Sequence, residues 1–138
     1  MSGNRSALPR ASVLVLFAVV LGSLLVPAAA RANRADCEAF LDVRQNDAGK
    51  FRYEVNINSD RRRCQQDRKV TIWHDTNRNG NLDEGEFVIA KGRTNNRGKL
   101  VVVADVIPPI GDWIGVEVRQ TRKCKPFSDS FKFQGFPD

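Results

Sequence analysis

The sequence predicts an all-β domain, an antiparallel two-sheet sandwich of immunoglobulin-like or prealbumin-like type, preceded by an N-terminal segment of different character. Three observations predict it. Six or seven short runs rich in β-branched and aromatic residues recur along residues 31–138, separated by Gly, Pro, Asn and Asp. One of these runs alternates apolar and polar at every step, the signature of a half-buried strand. No stretch shows convincing helical periodicity, and 138 residues suit one modest domain.

The elements follow in order. Phe40-Leu41-Asp42-Val43 reads as the hairpin partner of Phe51–Asn58, with a turn at Asp47-Ala48-Gly49 between them. In Phe51–Asn58 the residues Phe51, Tyr53, Val55 and Ile57 share one face, expected to be buried. Val70-Thr71-Ile72-Trp73 and Phe87-Val88-Ile89-Ala90 are two further strands. Asn95-Asn96-Arg97-Gly98 is a turn opening onto Leu100–Val103, a continuous apolar run of the kind expected in a central strand. Pro108-Pro109 and Gly111 punctuate the chain before Trp113–Val118, in which Ile114, Val116 and Val118 share a face. Phe131-Lys132-Phe133 is expected to close an edge.

The first thirty residues belong to another class. Arg5 and Arg10 form a positive n-region, Ala11–Val26 is almost wholly apolar, Pro27 ends the run, and Ala28-Ala29-Ala30 supplies small residues. This is the pattern of a cleavable signal peptide over 1–30, with cleavage after Ala30 or, as the alternative, after Ala32. The run is short for a membrane span, where about 20 residues are needed. The expected product, residues 31–138, is therefore an extracytoplasmic protein, secreted or periplasmic, with no membrane segment left after cleavage. Loss of Arg5 and Arg10, with no acid removed, takes the formal charge from +6 to +4.

The remaining positive charge is concentrated in Arg61-Arg62-Arg63, Arg68-Lys69 and Arg122-Lys123-Cys124-Lys125. Such a basic edge is read either as a solvated rim or as a contact for an acidic envelope polymer or protein. No aromatic residues interleave with these runs, which argues against nucleic acid. Cys37, Cys64 and Cys124 lie after the leader, where an oxidising compartment favours a disulfide, and no CxxC spacing points to zinc. Of the three possible pairings, Cys64–Cys124 is favoured because each residue adjoins a strand-like segment. Cys37 is then left free, paired with another molecule, or exchanging with one of the two.

The segment richest in chemistry is Asp75-Thr76-Asn77-Arg78-Asn79-Gly80-Asn81-Leu82-Asp83-Glu84-Gly85-Glu86. It fits the calcium loop D-x-[DN]-x-[DN]-G-x5-E along its whole length. Calcium is a hard cation that takes six to eight oxygens, and this spacing offers them from one tight coil. Asp75, Asn77 and Asn79 are expected to supply side-chain oxygens and Asn81 its backbone carbonyl. Asp83 is expected to act directly or through a water, and Glu86 as a bidentate ligand. Gly80 stands where the coil needs positive φ, and Leu82 is expected to turn inward and tie the loop to the core. Two neutral asparagines and Arg78 limit the negative charge, so the expected affinity is weak, on the order of 0.1–1 mM.

This loop resembles that of an EF-hand, although a strand enters it, Gly85 disfavours an exit helix, and there is one loop only. The resemblance therefore implies metal binding without a sensor-like opening of helices. A wider stretch, about residues 69–118, is similar to the calcium-binding B-type sandwich modules of bacterial surface adhesins. Trp73, Asp75–Glu86, the Thr94–Gly98 turn, Leu100–Val103 and the Pro108–Gly111 corner carry that likeness, with Ile110 an extra residue in the corner. It implies a domain stiffened by calcium and acting as a structural or adhesive unit.

Catalytic motifs are not apparent. His74, the one histidine, reads as a strand-end residue, and no nucleophile motif or phosphate loop is present. Asp83, Glu84 and Glu86 crowd one loop and do not flank a substrate as a glycosidase pair does. Trp73 and Trp113 read as core or sheet-surface residues. The expectation is a non-enzymatic module of unknown oligomeric state that binds Ca2+ structurally. Its alternative is a metal-independent module that binds through its basic edge.

Overall fold

The computed structural model describes residues 34–136; the expected leader at 1–30 and both cleavage positions lie outside the described residues. Seven strands form two antiparallel sheets: β1 Glu38–Gln45, β2 Phe51–Asn58, β3 Lys69–Asp75, β4 Phe87–Arg93, β5 Lys99–Ala104, β6 Trp113–Val118 and β7 Phe127–Lys132. One sheet has the order β1-β2-β5 and the other β4-β3-β6-β7. Strands 1, 2 and 5 thus face 3, 6 and 7, the partition of an immunoglobulin constant-type sandwich. The fourth strand departs from it by pairing with the third instead of the fifth. A single 3-10 turn, Arg62–Cys64, is the one helical element among the described residues.

The alternation in β2 places Tyr53, Val55 and Ile57 in the core, with Val70 and Ile72 of β3 and Ile114, Val116 and Val118 of β6 facing them. Leu100–Val103 does not lie in a central strand. β5 is the edge of the three-stranded sheet, with Leu100 turned inward and Val101 and Val103 left 41% and 53% exposed. Apolar composition alone does not distinguish a strand covered on both faces from an edge strand whose outer valines meet solvent.

Tyr53, the sole tyrosine, is fully buried and its hydroxyl donates to the Val106 carbonyl at 2.7 Å. Burial pushes its pKa up from 10.0 to about 12. Its contribution to stability is complete below pH 10.0 and is lost as pH rises through about 12, because the unfolded chain ionises first. The expected loss across that window is roughly 2 kcal/mol. Denaturant titrations at stepped alkaline pH check it, and Tyr53→Phe is expected to flatten this part of the profile.

The second anchor lies at one end of the sandwich. Cys64 and Cys124 form a disulfide with Cα atoms 5.5 Å apart, and Cys37 is free and buried, its thiol 3.4 Å from the Lys125 carbonyl. Beside the disulfide, Arg68 is 1% exposed. Its guanidinium donates to the carbonyls of Cys64 at 2.7 Å, Arg119 at 2.7 Å and Lys125 at 3.0 Å. The planar fork of arginine suits three carbonyls converging from separate segments. Arg68 is therefore not part of a basic edge: backbone carbonyls take up both of its terminal nitrogens, its Nε is buried without a partner, and the neighbouring Lys69 side chain is exposed.

Candidate functional site

The loop at 75–86 leaves β3 on the outer face of the four-stranded sheet. Thr71, Trp73 and Asp75 point to that face, opposite Glu117, Gly115 and Trp113 of β6, while Val70 and Ile72 point into the core. A β-bulge between Ile72 and Trp73 interrupts the pairing with β4 just before the loop begins, where such irregularities commonly re-aim side chains. Trp73 is 0% exposed yet stands outside the inter-sheet core. Its ring occupies the space above Gly115, where a Cβ would fall 2.1 Å from two of the ring carbons.

The loop then crosses β6 to reach β7. Ser128 of β7 donates its hydroxyl to the Gly80 carbonyl, and the backbone of Asp129 and Ser130 lies within 3.6 Å of where a Gly80 Cβ would be. Gly80 has φ of +72°, the left-handed conformation that its place in the loop calls for. Trp73 and Gly115 lie beneath this crossing, on the line joining β3 to β7.

Asp75 is the floor of the loop. It is 1% exposed and its carboxylate accepts the N–H groups of Arg78 at 2.7 Å and Gly80 at 2.9 Å. Burial acts to raise its pKa. Hydrogen bonds from the Ser130 hydroxyl and from the Gly80, Arg78 and Asn79 backbone outweigh burial and hold the carboxyl below its usual value. Asp75 therefore remains an anion at neutral pH.

Above this floor the polar side chains meet. Asn77 and Asn79 each direct a side-chain amide to Asp83 Oδ2 at 2.6 Å. Their carbonyl oxygens accept the N–H of the residue two further on, Asn79 at 3.1 Å and Asn81 at 2.7 Å, forming successive Asx turns. Glu86 closes the coil, one carboxylate oxygen accepting Thr76 N–H at 3.0 Å and the other Asp83 N–H at 3.1 Å. Asn81 donates its side-chain amide to the Asn79 carbonyl and lies at the exposed rim.

Of the six residues expected to bind metal, the structure brings Asn77, Asn79 and Asp83 to one point and ties Glu86 to Asp83 through its backbone. Asp75 is held below them by backbone donors. Among the described residues, no group of three or more His, Cys, Asp or Glu side chains gathers as a metal cage. The donor chemistry nonetheless fits a hard cation: oxygen is available from two amides, two exposed or half-buried carboxylates and the backbone. In the arrangement seen, the Asn77 and Asn79 amides occupy Asp83 Oδ2, so ligation requires both amides to turn away from it. That motion gives up their bonds to Asp83 and loosens the Asx turns, a cost that ligation must offset.

Leu82 is half-buried and stands outside the core cluster, so it is not what ties the loop down. Asp75 and β7 do that, and the short loop cannot drive an apolar side chain past the sheet it crosses. Sequence reasoning missed Ser128 and Ser130, and no local signal marks them, because their role depends on β7 lying two strands from β3. It also missed that His74 pairs with Asp112 at 2.8 Å, a contact spanning 38 residues. Arg61, Arg62 and Arg63 are exposed, as are Arg122, Lys123 and Lys125. Compared with protein-family models, curated proteins and solved structures, the chain matches none.

Proposed function

We propose that the protein is an exported, non-enzymatic β-sandwich module that binds Ca2+ structurally through the loop at 75–86. One observation carries the reading. Asn77 and Asn79 converge on Asp83, and Glu86 closes the same coil, at the spacing a calcium loop requires. Asp75, Asn77, Asn79, Asp83 and Glu86 are the side chains that would hold the ion, with the Asn81 carbonyl beside them. Bound calcium would replace the amide-to-carboxylate contacts by ligation and stiffen the coil across β6. Asp75 acts in this reading also as the anchor that shapes the loop. Export rests on the leader pattern, and the adhesive or structural role on the likeness to B-type modules.

Trp73 beneath the crossing supplies the measurement. Titration of calcium into the protein is expected to change tryptophan emission saturably, with a midpoint on the order of 0.1–1 mM and no response to magnesium. At a hundred times the dissociation constant the folded state is expected to gain about 2.7 kcal/mol. Asp83→Asn and Glu86→Gln are expected to abolish the response and keep the fold. Asp75→Ala is a poor test, because it orphans buried N–H donors and destabilises the loop with or without metal. If emission and the heat of mixing are both flat through millimolar calcium, the loop is a polar crossover and the reading fails.

A further inference from the structure

We propose that the outer face of the four-stranded sheet, at the end of β3 opposite the calcium-type loop, is a binding groove for an acidic polysaccharide strand. The groove encloses about 490 Å3 and is lined by Lys69, Thr71, Lys91, Arg93 and Arg119 with backbone between them. The fold assembles this set from three strands. Lys69 pairs with Arg93, Thr71 pairs with Lys91, and Arg119, just past β6, donates its N–H to the Lys69 carbonyl at 3.0 Å. Arg93, Lys69 and Arg119 thus form a rank across adjacent chains, each about 4.8 Å from the next, with Lys91 roughly 7 Å further along β4. Only Lys69 of these belongs to a basic run in the sequence.

The cations are largely free for a ligand. Among the described residues the Lys69, Lys91 and Arg119 side chains make no salt bridge, while Arg93 is held by Asp67 at 2.8 Å. Glu117, across β3 from Lys91 and opposite Thr71, is the acid that shares this face. The ion pairs on offer are exposed, and singly they are weak. A free monovalent anion would gain little there, whereas a chain with several linked anions adds the contacts and releases counterions at each.

The lining selects among polymers. No aromatic side chain faces the groove, so bases have nothing to stack on. No exposed aromatic or large aliphatic residue lines it either, so a protein partner lacks the desolvated anchor that carries most interface energy. A polysaccharide bearing carboxylates or sulfates needs neither. Threonine at the centre and the arginine forks supply hydrogen bonds suited to its oxygens.

The test is calorimetry of the full chain with a heparin octasaccharide in EGTA, which keeps the outcome separate from the calcium reading. Binding is expected to weaken steeply between about 50 and 200 mM salt. K69Q/K91Q/R119Q is expected to lower affinity by at least roughly tenfold at unchanged melting temperature, and R61Q/R62Q/R63Q to leave it as it was. Should the triple variant melt early, Lys91→Glu alone, on an exposed edge-strand side chain, is expected to weaken binding without loss of fold. The proposal is overturned if the wild type does not bind or if R61Q/R62Q/R63Q weakens binding as much as the groove variant. It is equally overturned if an oligodeoxynucleotide or poly-glutamate of equal charge binds as tightly.

Discussion

Cys64→Ala/Cys124→Ala is expected to lose about 4 kcal/mol of unfolding free energy, from the freedom restored to a 60-residue loop in the unfolded chain. A domain of this size has roughly 5–15 kcal/mol in total, so the variant is expected to be partly unfolded near body temperature. The double variant is the right comparison, because a single one leaves a thiol that can pair with Cys37. Urea titration of the wild type with and without reductant, beside the variant, measures the effect. The loss has a second source. Arg68 draws its hydrogen bonds from the carbonyls of Cys64, Arg119 and Lys125, and two of these flank the cross-link directly. Freed from the disulfide, those segments hold the guanidinium less firmly, and a buried cation with loosened partners is costly. Equal stability of reduced and oxidised protein would show that the unfolded chain gains nothing from release of the loop.

Gly115→Ala is expected to destabilise by about 3 kcal/mol, the upper end for forcing a methyl into an occupied space. The sign is diagnostic. A strand glycine replaced by alanine at an unobstructed site gains roughly 0.5–1 kcal/mol from the stiffer backbone. At Gly115 the new Cβ would sit 2.1 Å from the Trp73 ring, so the ring must move. Its movement lifts the crossing above it, and a change in tryptophan emission and near-ultraviolet circular dichroism is expected with the loss of stability. A neutral or stabilising result would mean that the ring has somewhere else to go.

These two predictions also show what is readable in a sequence of this kind. Periodicity places strands well, and Phe51–Asn58 and Trp113–Val118 occupy the spans their alternation and composition indicate. Cys64 and Cys124 are joined as their positions beside strands favour. What local patterning misses is which sheet, and which face of it, a strand occupies. Leu100–Val103 has the composition of a covered strand and lies at an edge. Trp73 looks like a core residue and is buried on the outer side of its sheet, under a loop held by a strand more than 40 positions away. Arg68 beside Lys69 reads as surface charge, until the fold turns one into a backbone clamp and the other into the wall of a groove.

In the loop at 75–86, residue spacing announces a tight coil rich in oxygen donors, because the motif is local to twelve consecutive residues. The hydroxyl partners from β7, Ser128 and Ser130, are set by strand order and leave no local trace. For that reason the candidate oxygen donors are legible in the sequence, but the hydroxyls that hold Asp75 and Gly80 from β7 are not.

Cys37 has a use as a clock. A thiol reacts as its thiolate and only where reagent can reach it. Here the sulfur is covered in the native fold, beside the carbonyl of Lys125. Alkylation must then wait for the N-terminal strand to part from the segment around Cys124. Where reclosing is faster than labelling, the observed rate reports the population of that opened form directly. The molecule carries its own reporter for how often this end of the sandwich breathes, with no cysteine to be engineered.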